Sequence, residues 1–140
     1  WVGKTGKVEK KTHTGFNVLY YMPDYRSEFA RWKYGLEIVA QTKSYFDQNW
    51  QKEGFESRPD WFSFAGKKAS RDGGQENRTL GEMLAITDVY LRPSRHDGTP
   101  RLNLTCELNK IPVIYSESFN LTAEDCIKQI KELYQQDASR

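Results

Sequence analysis

His13 and His96 are the only imidazoles in the chain, and imidazole is the side chain whose ordinary pKa lets it exchange protons near neutrality. Both fall in stretches of turn-forming residues. Brought together over one edge with lysines beside them, they would form an acid–base pair suited to attack on an RNA phosphodiester. Asp88, Glu107 and Lys110 offer a second chemistry, because two carboxylates and a lysine across a hairpin can bind magnesium and orient water. The spacing argues against it: Leu108 and Asn109 separate Glu107 from Lys110, which puts the lysine in a turn. Solvent-facing charge accounts for these residues without a metal, and exposed turns account for the histidines.

Nucleophilic and phosphate-cradling patterns are weaker still. There is no Gly-x-Ser-x-Gly, and Cys126 falls on the apolar face of a predicted helix, which shields a thiol instead of activating it. Gly66-Lys67-Lys68-Ala69-Ser70 carries glycine, lysines and a hydroxyl, but lacks the second glycine and the following helix of a P-loop. Cys106 and Cys126 are too few for a four-ligand zinc site, and no Cys-x-x-Cys or His-x-x-x-His supplements them. The sequence therefore predicts no catalytic residue, no metal and no cofactor. The two cysteines read as buried free thiols, with a disulfide between a strand and the last helix as the alternative.

Cations are the better signal. Net charge is only +2, but residues 1–11 carry +3, residues 66–78 carry +2 and residues 92–101 carry +2, leaving −5 on the remainder. Lys67, Lys68, Arg71, Arg92, Arg95 and Arg101 are the candidate contact residues in two predicted loops. Lys4, Lys7, Lys10 and Lys11 form a secondary basic arm, although lysines on an edge strand also serve to block unwanted pairing.

The chain that must position these residues has 140 of them, suited to one domain, 1–140. Mean hydropathy is −0.81, and no apolar run approaches the roughly 20 residues that a membrane span needs. Trp1 in place of methionine is expected of a processed product or a fragment. Sequons at Asn77, Asn103 and Asn120 point only mildly to secretion, and the compartment stays unassigned.

Residues 1–23 predict a hairpin turning at Thr12-His13-Thr14-Gly15. Residues 24–53 predict one long helix, with Asp24 as N-cap and an apolar stripe of Phe29, Trp32, Leu36, Val39, Phe46 and Trp50 that only Lys43 interrupts. Gly35 marks close packing or a bend within it. Residues 61–119 predict antiparallel strands at 61–65, 82–92, 101–108 and 112–119; 66–78 reads as a loop, and Leu102, Leu104, Cys106 and Leu108 alternate as on a half-buried strand. Residues 122–136 predict a helix announced by Thr122 and Asp125. The sum is an α+β fold, ββαββββα, with a mainly antiparallel sheet and both helices packed on one face.

Function follows only as far as the surface. The expectation is a non-catalytic binding domain that contacts an acidic protein surface through its basic loops, with Tyr20, Tyr21, Tyr25, Tyr34 and Tyr45 available as interface rings. The alternative is single-stranded RNA or DNA, with rings of Phe16–Tyr21 and Trp61–Phe64 stacking on bases and the neighbouring cations on phosphates.

Overall fold

The computed structural model describes residues 6–72, 74, 77–98 and 100–138. Their order is β1 (Asn17–Tyr21), α1 (Glu28–Lys33), α2 (Leu36–Asn49), β2 (Asp60–Ala65), β3 (Lys68–Arg71), β4 (Asn77–Thr79), α3 (Leu80–Leu84), β5 (Val89–Leu91), α4 (Arg101–Leu108), β6 (Val113–Ile114) and α5 (Ala123–Ala138). The fold is α+β, and its six strands form one sheet in the order β4-β3-β2-β1-β5-β6. The sheet is mixed. β1 pairs in parallel with both β2 and β5, β5 pairs in parallel with β6, and only β2–β3 and β3–β4 are antiparallel.

Strand alternation sorts the core into two layers. Val18, Tyr20, Trp61, Val89 and Leu91 meet Ile38, Val39 and Phe46 of α2 and Cys126 and Ile130 of α5. Leu19, Phe62, Phe64 and Tyr90 meet Leu80, Met83 and Leu84 of α3 and Leu102 and Cys106 of α4 on the other face. Helices therefore cover both faces, not one, as parallel strands require when helical crossovers join them.

Several predicted elements change identity for local reasons. The 24–53 segment is two helices, broken at Gly35, whose φ of 69° leaves the right-handed region. The break shifts the helical phase, so Ile38, Val39, Thr42 and Phe46 are buried while Phe29 and Trp32 are 64% and 50% exposed. Ser27, not Asp24, caps α1, accepting the Ala30 amide at 3.1 Å; Asp24 instead closes a turn onto the Arg26 amide. Within the predicted loop 66–78 lie β3 and the first two residues of β4. The predicted strand 82–92 opens as α3, because Thr79 and Glu82 form a reciprocal capping box, and becomes extended only at Val89. The predicted strand 101–108 is helix α4, which buries Leu102, Asn103 and Cys106 and exposes Leu104 and Leu108. Leucines spaced by two satisfy either geometry when two of them stay in water, and leucine, which is not branched at Cβ, favours the helix.

Residues 6–11 pair with no strand, so the N-terminal hairpin does not form among the described residues; Lys4 lies outside them. The arm is held across helix ends instead. Asn109 accepts the Val8 amide at 2.8 Å and donates to the Gly6 carbonyl at 2.7 Å, while Lys10 donates to the carbonyls of Leu84, the last residue of α3, and of Thr87 beyond it. A cation at that end is favoured by the helix dipole. The last helix starts as predicted: Thr122 and Asp125 exchange hydrogen bonds of 3.0 and 3.1 Å.

Candidate functional site: a crevice at the carboxyl edge of the sheet

Four parallel strands end on one edge, at Tyr21, Ala65, Leu91 and Ile114. From β1 the chain crosses to β2 by way of α2, on one face; from β5 it crosses to β6 by way of α4, on the other. β1 and β5 are neighbours whose connections leave in opposite directions, and such a switch point opens a crevice outside the carboxyl ends of the strands. A cavity of about 330 Å³ occupies that position.

Its walls are rings and its floor is a buried cation. Tyr21 and Tyr34 meet edge to face with centroids 4.7 Å apart, and Phe64 stands 4.9 Å from Tyr21. Beneath them Arg92 is only 8% exposed, its guanidinium 4.9 Å from the Tyr21 ring centroid and 5.5 Å from that of Tyr34. Arg92 also donates through Nη1 to the Tyr90 hydroxyl at 2.7 Å and through Nε and Nη2 to the two oxygens of Asp97. Ser94 adds a hydrogen bond to Asp97. Burial by itself would raise the Asp97 carboxyl, but the bonds from Arg92 and Ser94 outweigh it and hold the group below its ordinary range. Burial likewise opposes the charge on Arg92, and the bond to Asp97 reverses the sign, so the guanidinium stays protonated.

The Arg92–Asp97 pair fixes the loop that delivers α4. Pro100 begins that helix without any side-chain cap, and Pro100, Arg101 and Leu102 of its first turn line the crevice. Uncapped amides at a helix start carry partial positive charge and receive anions. Gly66, in the β2–β3 turn, forms the far rim, next to Lys67 and Lys68.

Of the six predicted contact residues, Arg92 and Arg101 therefore line one crevice and Lys67, beside Gly66, borders it, whereas Lys68, the first residue of β3, lines a different cavity on the α2 face of the sheet. Lys67, Lys68 and Arg101 are exposed. Arg95 is nearby but engaged, donating to the Trp32 carbonyl at 3.0 Å and lying 3.6 Å from Glu37. Arg71 belongs elsewhere: it bonds Asp60 at the start of β2 at 2.6 Å and stacks over Phe62. Lys10 sits at the opposite, amino edge, beside Thr87 and Asp88. The cations thus divide between two edges of the sheet.

The other candidate chemistries do not converge. His13 lies 3.3 Å from Asp88 at the amino edge, whereas His96, in the β5–α4 loop, neighbours Phe119 of the β6–α5 loop. Asp88, which accepts the Asn17 amide at 2.7 Å, and Lys110 line one cavity at the amino edge, but Glu107 is on α4 and lines a different one, so the second carboxylate is not brought to them. Among the described residues no group of three or more His, Cys, Asp or Glu could hold a metal ion. Cys106 and Cys126 are free, buried in opposite layers, and burial pushes each thiol up to about 12. Of the rings offered for base stacking, Phe16, Tyr20, Trp61 and Phe62 are buried away from the crevice, whereas Tyr21, half-buried, and one edge of the buried Phe64 line it.

A larger cavity, about 710 Å³, lies between α2 and the β2–β3 half of the sheet. Its polar corner is internally matched: Tyr20 donates to Asp72 at 2.7 Å and Lys43 lies 3.4 Å from the same carboxylate. That contact explains why a lysine interrupts the apolar stripe of α2.

The crevice is not legible in the sequence, where 101–108 reads as a strand and not as the helix that lines it. Arg92 and Asp97, opposite charges flanking a proline just before an apolar segment, were the available signal. In comparisons with known proteins, no family model, no curated protein and no solved structure matches this chain.

Proposed function

We propose that this chain is a binding domain for a small phosphate-bearing ligand with a planar ring, of the nucleotide class, taken in the carboxyl-edge crevice. The observation that carries this reading is the convergence, at one switch point, of the uncapped first turn of α4 with Arg101 and with the rings of Tyr21, Tyr34 and Phe64. The phosphate would meet the α4 amides and Arg101, and the ring would lie against the aromatic wall. Arg92 is already satisfied by Asp97 and Tyr90, so its part is to hold the loop and shape the floor. Isothermal titration with nucleoside diphosphates, using inorganic pyrophosphate as the ringless control, tests it. Saturable binding that weakens about tenfold or more in Arg101→Glu supports the reading, since charge-assisted bonds are worth that much. No binding at millimolar nucleotide, or binding that Arg101→Glu leaves unchanged, contradicts it.

A second reading, an acidic protein surface docked over the β2–β3 turn, is favoured by Lys67 and Lys68, which are exposed and in no ion pair among the described residues. It predicts that Lys67→Glu with Lys68→Glu abolishes partner capture while leaving nucleotide affinity intact. A steep loss of single-stranded oligonucleotide binding with rising salt would instead favour nucleic acid. Among the described residues, no helix is long and apolar enough to cross a membrane.

A further inference from the structure

The cavity of about 710 Å³ exists because the sheet is wider than the helices that cover it. On this face α2 and α5 pack against β1, β5 and the start of β2, and no residue of β3 or β4 joins that layer among the described residues. Ser63 and Ala65 of β2 alternate with Phe62 and Phe64, which enter the opposite layer, so the floor beside α2 is built of Ser63, Ala65 and Ser70. Leu36, Val39 and Ala40 give α2 an apolar wall, and from Leu36 to Lys43 the groove follows the helix for about 10 Å. Its two ends differ in charge. At the amino edge Lys43 and Asp72 lie 3.4 Å apart, and Arg71 is held by Asp60 at 2.6 Å, so these charges cancel. At the carboxyl edge Lys68 is exposed and in no ion pair among the described residues. Because α2 returns the chain from the end of β1 to the start of the parallel β2, its first turn lies at that same edge. The turn begins at Gly35 without a side-chain cap, and its partial positive charge adds to that of Lys68.

We propose that this groove binds a free monocarboxylate with a straight hydrocarbon chain, of the medium-chain fatty acid class. One uncompensated positive end on an apolar trough matches one negative charge on an apolar body. The carboxylate would meet the Lys68 ammonium at the mouth, and the chain would lie between Leu36 and Ala40 on one side and Ala65 on the other. An extended peptide fits less well, because the β2–β3 ladder already pairs the backbone under the groove and offers no edge to extend. This inference does not rest on the nucleotide reading: α2 and Lys68 line the groove, whereas α4 and Arg101 line the crevice.

Sodium octanoate is the probe, with octanol and acetate as controls, followed by amide chemical shifts. Saturable shifts at Leu36, Ala40, Ala65 and Lys68 are expected with octanoate, binding about tenfold weaker with octanol, and none with acetate. Lys68→Gln should weaken octanoate about tenfold, and Ala40→Phe should block the groove; both positions are exposed, chosen to keep the fold. Arg101→Glu should bind octanoate as the parent does. No saturation at millimolar octanoate, equal affinity for octanol, full affinity in Lys68→Gln or Ala40→Phe, or binding that Arg101→Glu removes would each overturn the proposal.

Discussion

Arg92 grips both carboxylate oxygens of Asp97, Nε to Oδ2 at 2.6 Å and Nη2 to Oδ1 at 3.0 Å, inside the loop that joins β5 to α4. The pair is almost wholly buried, with side-chain exposures of 9% and 6%. Its geometry links the end of a central strand to the helix start that lines the crevice. Fold and candidate function therefore share one contact.

Removing one partner strands the other. Asp97→Ala leaves a buried guanidinium without its counter-charge and should destabilise the chain by about 3–5 kcal/mol, read from urea unfolding. Since Asp97 is held below its ordinary range in the folded state, its contribution is complete above the ordinary carboxylate pKa and is lost as pH falls through the lowered value. The stability gap between parent and variant should accordingly narrow in acid. A gap that stays constant from neutrality into strong acid would show that Asp97 is not held as described.

Gly35 gives a sharper steric prediction. At φ 69° a Cβ would lie 2.1 Å from the Pro93 carbonyl oxygen, so an added methyl group must push apart the α1–α2 joint and the loop after β5. Gly35→Ala should cost more than about 2 kcal/mol. Gly54 has φ 86° and open space around it, so Gly54→Ala should cost only about 1 kcal/mol, the price of the backbone conformation alone. Equal losses in the two variants would remove the close approach from the account.

The thiols separate native packing from partial unfolding. Cys106 and Cys126 are fully buried, and burial raises both pKa values to about 12, so neither should react with a thiol-specific disulfide reagent at pH 8 in the folded chain. Two equivalents should react in denaturant, as counted by absorbance. Rapid reaction of Cys106 in buffer would mean that α4 opens locally.

How much of this was visible in the chain depends on whether a signal is local. Thr122 and Asp125 announce α5 within four residues, and Trp61–Ala65 is a dense β-favouring run, so both were legible. The C-terminal half of the 24–53 stripe was legible too, but the cost of Gly35 in a helix does not reveal that Pro93, far along the chain, presses on it. Leu102, Leu104, Cys106 and Leu108 fit a period of two, and only packing of Leu102 and Cys106 beneath β1 and β5 selects the helix. Parallel pairing of β1 with β5 is not a property of either strand's residues; it follows from crossovers on opposite faces. The crevice inherits that illegibility, because its walls come from β1, β2, α3 and α4 and from three of the connections between elements.

The central claim is that the carboxyl edge, not the amino edge, receives an anionic ring-bearing ligand. Amide chemical-shift mapping with a nucleoside diphosphate tests it most directly. The account predicts saturable shifts concentrated at Tyr21, Tyr34, Gly66, Arg101 and Leu102. Shifts confined to Lys10, Thr87 and Asp88, or none at saturating nucleotide, would contradict it.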